Sequence, residues 1–219
     1  MPAHLEIIDE IAVLNLGGDE NRFSPDWLTT VNDLLDRIES GEAKALVTTG
    51  SGKFYSNGLD LDWLAAHSDQ GDWYVGQVQQ LLARVLVAPV PTVAAVNGHA
   101  FGAGSMLGIA HDFRVMRVDR GYYCFPEVDI HIPFTPGMAA LIQAKLTPAA
   151  AVEAMTTGRR YGGADAAAIG LVTATAPEGK VTSTAVDLVA PLKGKDPGTL
   201  QAIKSTMFAS ATAALRGEA

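Results

Sequence analysis

Three places in this sequence hold residue types at spacings that could do chemistry: two glycine-rich turns and one acid. The first turn, Phe54-Tyr55-Ser56-Asn57-Gly58-Leu59-Asp60-Leu61, lies between an apolar run and a helix start. The second, Ala95-Val96-Asn97-Gly98-His99-Ala100-Phe101-Gly102-Ala103-Gly104-Ser105, repeats the device about forty residues later. Glycine ahead of a helix lets the main chain approach a ligand closely, and the unpaired N–H groups of a first helical turn can receive an oxyanion. Taken alone, the first turn is better read as an ordinary bend capped by Asp60, and close helix packing also demands glycine. Two turns of one type in one chain are stronger evidence than either.

Two better-known glycine motifs are excluded. Gly50-Ser51-Gly52-Lys53 ends like a phosphate-binding loop, but Phe54 stands where Ser or Thr must ligate magnesium, and the upstream glycine is missing. Gly102, Gly104 and Gly108 approach a dinucleotide fingerprint, yet the last spacing is one residue too long and the motif sits mid-chain. The acid is Glu127, in Phe125-Pro126-Glu127-Val128, and without further context it reads as a surface residue. Asp129 and His131 follow at alternate positions and would share its face if the segment were extended. No Gly-x-Ser-x-Gly elbow occurs and Cys124 has no evident partner, so nucleophilic hydrolysis has no footing. The five histidines are scattered without His-Glu-x-x-His spacing, and His99, His111 and His131 read as packing residues; no metal is expected.

The elements that must position these groups are legible around them. Leu5 to Ile8 and Ile11 to Leu16 suggest a hairpin, and Ser24-Pro25 opens a helix that Gly41 ends. Ala45 to Thr48 and Thr92 to Val96 read as buried strands. Each leads through a turn-rich stretch, Gly50 to Gly58 and Gly98 to Gly104, towards helices at about Asp72 to Val87 and Ser105 to Ala110. Asp112 is expected to brace the end of the second helix. Phe113 to Val118 and Tyr122 to Phe125 read as strands, with helices from about Pro136, Pro148, Ala164, Glu178 and Pro197. This alternation predicts an α/β protein: a core over residues 1–195, and a helical tail over 196–219 set off by the polar stretch Lys193 to Gly198.

Composition narrows the function classes. At 219 residues and 48% apolar content the chain can bury a sizeable core, and it has no repeat or low-complexity tract. A formal net charge of -8 opposes nucleic-acid binding. The longest apolar stretch, Val85 to Val96, contains Pro89 and Pro91 and is too short to span a bilayer. No basic patch precedes an apolar run at the N-terminus, the last residues RGEA are not a peroxisomal signal, and Cys124 is the only cysteine. A cytoplasmic protein is expected.

FYSNGLDL, AVNGHAFGAGSMLGIAHD and FPEVDIHIPFTPG, in that order within Leu5 to Ala176, resemble the enoyl-CoA hydratase/isomerase (crotonase) family, and within it the short Δ3,Δ2-enoyl-CoA isomerases. The resemblance implies a crotonase-like ββα spiral (ClpP/crotonase fold) with a helical C-terminal region, assembled as a homotrimer or dimer of trimers. It implies an acyl-CoA thioester substrate, with coenzyme A part of that substrate and no separate cofactor. The thioester oxygen would be held by the backbone N–H groups of Leu59 and Ala103, each worth about 3 kcal/mol in the transition state. Ser56, Asn57, Gly58, Asp60, Leu61, Trp63, Gly102, Met106 and Phe134 would form the substrate site; Lys53 could meet a coenzyme A phosphate, but a solvent-facing lysine is the commoner outcome at such a position.

Hydratases of this family carry two glutamates, and Met106 occupies the first of those positions here, while Glu127 occupies the second. A lone carboxylate can still take a proton from C2 and return it at C4, which moves a 3-enoyl double bond to the 2-position. Such a base should be dry, and Phe125, Val128, Ile130, Ile132 and Phe134 suit that need. The alternatives are another crotonase-type reaction (hydration, decarboxylation or thioester hydrolysis) or a non-catalytic acyl-CoA-binding subunit. The segment Asp19-Glu20-Asn21-Arg22-Phe23 is an unusual variant of the family pattern.

Overall fold

In the computed structural model, which describes residues 1–218, the chain opens with the expected hairpin. Strand β1 (His4–Ile8) pairs antiparallel with β2 (Ile11–Asn15), turning at Asp9 and Glu10, both at positive φ. Helix α1 (Pro25–Arg37) starts where Ser24-Pro25 predicts. The Ser24 hydroxyl accepts the Trp27 N–H at 3.3 Å, proline fills a position whose N–H would have no helical partner, and Leu28, Val31 and Leu35 face the core.

Three ββα turns follow. The first is β3 (Ala45–Thr49), β4 (Phe54–Ser56), short α2 (Leu61–Ala66) and α3 (Gly71–Leu86). The second is β5 (Thr92–Val96), β6 (His99–Phe101) and α4 (Ala103–Ala110); the third is β7 (Phe113–Arg117), β8 (Tyr123–Cys124) and α5 (Pro136–Lys145). In every turn the first strand joins a six-stranded sheet of order β1-β2-β3-β5-β7-β9, whose edge is β9 (Ala174–Ala176). The second strand joins a small parallel sheet of order β4-β6-β8. Strands β4 and β6 lie inside stretches expected to be plain turns, and the strand expected over Tyr122 to Phe125 shrinks to Tyr123–Cys124. Runs of two or three residues are too short to show an alternating pattern; their pairing with one another makes them strands.

All eight residues of α4 are buried, which places the second glycine turn against the middle of the molecule. Its end is anchored by a buried chain. His111 Nδ1 lies 2.8 Å from the Leu107 carbonyl, its Nε2 lies 2.9 Å from Thr48 Oγ1, and that oxygen is 2.7 Å from the Tyr55 hydroxyl. Full burial pushes the His111 imidazole down to about 4, so it is neutral at pH 7, with Nδ1–H donating to Leu107 and Nε2 accepting from Thr48.

The C-terminal third contains α6 (Pro148–Thr157), α7 (Gly163–Ala168), α8 (Val181–Val189), α9 (Pro197–Met207) and α10 (Ala209–Arg216). Helices α5, α6 and α9 each open with a capping Thr or Asp followed by Pro, the pattern that made them legible. Helix α8 covers the outer face of the large sheet, where Val181, Ala185 and Val189 meet Val47, Val93 and Val115. Helix α10 packs on α5 and α3. Asp112 does not brace the end of α4 as expected: its carboxylate accepts the Thr92 N–H at the start of β5 at 2.8 Å, and it ties down α9 by receiving Lys204 Nζ at 2.6 Å. No described helix is long and apolar enough to cross a membrane.

Candidate active site

The first glycine turn is held from behind by the segment before α1. The Asn57 N–H donates to the Glu20 carbonyl and the Phe23 N–H donates to the Gly58 carbonyl, both at 2.8 Å. The Ser56 hydroxyl donates to the Asn21 carbonyl, also at 2.8 Å. Buried Asn21, at φ 50°, turns its amide to the carbonyls of Gly17 at 3.2 Å and Tyr55 at 3.0 Å. The unusual variant Asp19 to Phe23 is therefore the frame of this turn.

Gly58 brings the two turns together. Its φ is 79°, and a methyl group placed on it would lie 2.7 Å from the Phe101 carbonyl oxygen and 2.9 Å from the Ala103 nitrogen. Only glycine allows that approach. The peptide that follows it, carrying the Leu59 N–H, thus lies close to the start of α4. There Gly102 adopts φ 52° and ψ -124°, outside the range of residues with side chains, and delivers Ala103 as the first helical residue. No side chain caps α4. Among the described residues, neither the Leu59 N–H nor the Ala103 N–H finds a protein acceptor.

Glu127 completes the arrangement. It follows β8 through Pro126 and is 7% exposed, and its Oε2 has no hydrogen-bond partner among the described residues. Its Oε1 would lie 3.3 Å from a methyl group placed on Gly102, so the carboxyl sits over the second turn, next to Ala103. Burial pushes the carboxyl up to about 7, against a smaller opposing pull from its own backbone N–H. The segment after it is not extended. Asp129 and Ile130 donate back to the Pro126 carbonyl, and Ile132 donates to the Glu127 carbonyl. Asp129 consequently turns towards Gly158, and exposed His131 takes φ 59°, so no Glu-Asp-His face forms. The dry wall expected around Glu127 is also only partial: Phe125 is buried, while Val128 and Ile130 are 47% and 46% exposed.

A cleft of about 390 Å³ gathers Asn57, Leu59, Leu61, Gly102, Ala103 and Glu127 from the predicted set. The other predicted residues stand back from its walls. Ser56 and Met106 are buried beneath it, and Gly58 supports it from behind. Asp60 caps α2 by accepting the Trp63 N–H at 3.1 Å, and Trp63 stacks on His67 with ring centres 4.4 Å apart. Phe134 lines a neighbouring apolar groove that shares Glu127 and Ile132 with the cleft, and Lys53 lies over the Phe54 ring.

Sequence reasoning missed Arg22, Asp62, Phe101 and Arg160 as cleft residues. Arg22 is fixed by hydrogen bonds to Glu20 and Asp62, and its place in the variant segment was the available signal. Arg160, whose guanidinium lies 5.7 Å from the Phe101 ring centre, had none; it arrives through the pairing of Tyr161 with Tyr123. The cleft therefore has two carboxylates. Asp62 is exposed and paired with Arg22, which leaves Glu127 as the group suited to accept a proton.

Comparison with known proteins gives a consistent picture. The family model described as enoyl-CoA hydratase/isomerase matches residues 7–218. Enoyl-CoA delta isomerase 3 of Arabidopsis thaliana is 39% identical over 191 residues, covering 82% of this chain and 80% of that protein. The crystal structure of a probable enoyl-CoA hydratase from Mycobacterium tuberculosis superposes with a TM-score of 0.92 at 27% identity, covering 100% of this chain and 93% of the other. The human mitochondrial delta3-delta2-enoyl-CoA isomerase gives a TM-score of 0.88 at 23% identity, covering 97% of this chain and 85% of the other, and speaks to the fold alone.

Proposed function

This chain belongs to the enoyl-CoA hydratase/isomerase family, and from that premise we propose that it is an enoyl-CoA isomerase that moves a 3-enoyl-CoA double bond to the 2-position. The thioester oxygen is received by the Leu59 and Ala103 N–H groups, which stabilise the enolate formed when C2 loses a proton. Glu127 takes that proton and returns it at C4. A carboxyl poised near 7 is basic enough to accept the proton and acidic enough to give it back. The observation that carries this reading is the buried, unpartnered Glu127 oxygen beside a helix start whose first N–H is free.

Met106 lies in the core of α4, so the position from which a second glutamate would orient water carries no carboxylate. Coenzyme A enters as part of the substrate. Exposed Val128, Ile130, Val152, Ile203 and Met207 offer apolar surface for the trimeric assembly we expect, which sedimentation would measure. The single, buried Cys124 suits the cytoplasm. The direct test is incubation of the purified protein with 3-hexenoyl-CoA while following the absorbance of the conjugated 2-enoyl thioester. Conversion is expected. Tight binding of the ester with no conversion would instead favour a non-catalytic acyl-CoA-binding subunit.

A further inference from the structure

We infer that Ser56 is a positioning residue for the reaction, acting through the Gly58 peptide to set where the Leu59 N–H points. This rests on the proposed oxyanion-stabilised reaction and assigns it a group that touches no substrate.

Ser56 is fully buried and does not line the cleft. Its hydroxyl is engaged on both sides: it donates to the Asn21 carbonyl at 2.8 Å and accepts the Gly58 N–H at 3.1 Å. The second bond matters for the chemistry. Two successive N–H groups, Gly58 and Leu59, leave the same turn, and a turn with both free could offer either one to the ligand. By occupying the Gly58 N–H inside the protein, Ser56 fixes the orientation of the peptide plane before Gly58 and leaves the Leu59 N–H as the outward donor.

The same residue also touches the other half of the site. A methyl group placed on Gly104 would lie 2.8 Å from Ser56 Cβ, so the end of β4 and the first turn of α4 are in direct contact there. Ser56 thus sits between the peptide that carries one donor and the helix that carries the other. Its partner Asn21 is immobilised in turn by the bonds from its side chain to Gly17 and Tyr55. An oxyanion hole works through donors fixed in advance, and small misplacements weaken it steeply.

The test compares wild type with Ser56→Ala and Ser56→Cys. Cysteine keeps most of the shape against Gly104 but weakens both hydrogen bonds, so it serves where alanine loosens the fold. Two quantities are read: kcat and KM on 3-hexenoyl-CoA, and the infrared stretch of the bound thioester carbonyl in 2,4-hexadienoyl-CoA labelled with carbon-13 at C1. Ser56→Ala is expected to lower kcat roughly 10- to 100-fold, less than loss of a whole oxyanion donor, with KM nearly unchanged. The carbonyl shift on binding should shrink in the order Ser, Cys, Ala. Unchanged kcat, or a fall in kcat with the full wild-type carbonyl shift, would overturn the assignment. If wild type shows a Ser56-dependent carbonyl shift but no isomerisation, the positioning role stands and the isomerase reading fails. A wild type with neither turnover nor carbonyl shift sinks both.

Discussion

Holding the Glu127 carboxyl in a dry site carries a cost that pH exposes. Its folded value of about 7 lies above the ordinary 4.5, so between those values the folded chain keeps a proton that the unfolded chain has lost. The contribution to stability is complete below about 4.5 and is lost as pH rises through 7, a difference of about 3 kcal/mol. Glu127→Gln removes that dependence. Urea unfolding should show the variant up to about 3 kcal/mol more stable than wild type at pH 8, relative to their difference at pH 4. An equal difference at both pH values would mean that the carboxyl is not held this way. The same ionisation should shape catalysis, because the base form is needed at the start of the cycle. kcat/KM should fall on the acid side with an apparent pKa near 7, and a profile flat down to pH 5 would place the base elsewhere.

The helix start proposed to supply the second donor offers a separate test. Ala103 is the first residue of α4, where proline is tolerated because its missing N–H would have no helical partner. Ala103→Pro should therefore leave the thermal midpoint close to wild type while lowering turnover about 100- to 1,000-fold, the cost of one oxyanion donor. Near-normal turnover would remove Ala103 from the mechanism. Both glycine turns were legible in the sequence because glycine ahead of a helix is a local signal, whereas the choice of Ala103 as a donor came only with the family resemblance. So were α1, α5, α6 and α9, whose capping residue and proline mark their starts. The small sheet was not. Phe54–Ser56 and His99–Phe101 become strands only by lying beside each other, and the turn after Glu127 overrode an alternating pattern that suggested extension. Framing by Asn21 and Ser56 likewise depends on contacts more than thirty residues apart along the chain.

At the scale of the whole molecule, the helical third is locked to the spiral by a buried ion pair. Lys204 donates to Asp112 at 2.6 Å and to the Val90 carbonyl at 2.9 Å, with its side chain 5% exposed. Lys204→Met should cost about 3–5 kcal/mol, because it leaves the Asp112 charge without its cation. The double variant Lys204→Met with Asp112→Asn should recover part of that loss. Additive losses in denaturant unfolding would show that the two do not act as a pair. The spiral itself was legible only through three motifs in order, since no single strand or helix specifies how successive ββα turns stack. The central claim, one carboxyl moving one proton beneath two main-chain donors, is tested most directly by a single turnover of 3-hexenoyl-CoA carrying deuterium at C2, with the product read by NMR. A Glu127 shuttle predicts deuterium at C4 of the 2-enoyl product and no product from Glu127→Gln. A C4 hydrogen drawn entirely from solvent, in product that Glu127→Gln forms at the wild-type rate, would contradict it.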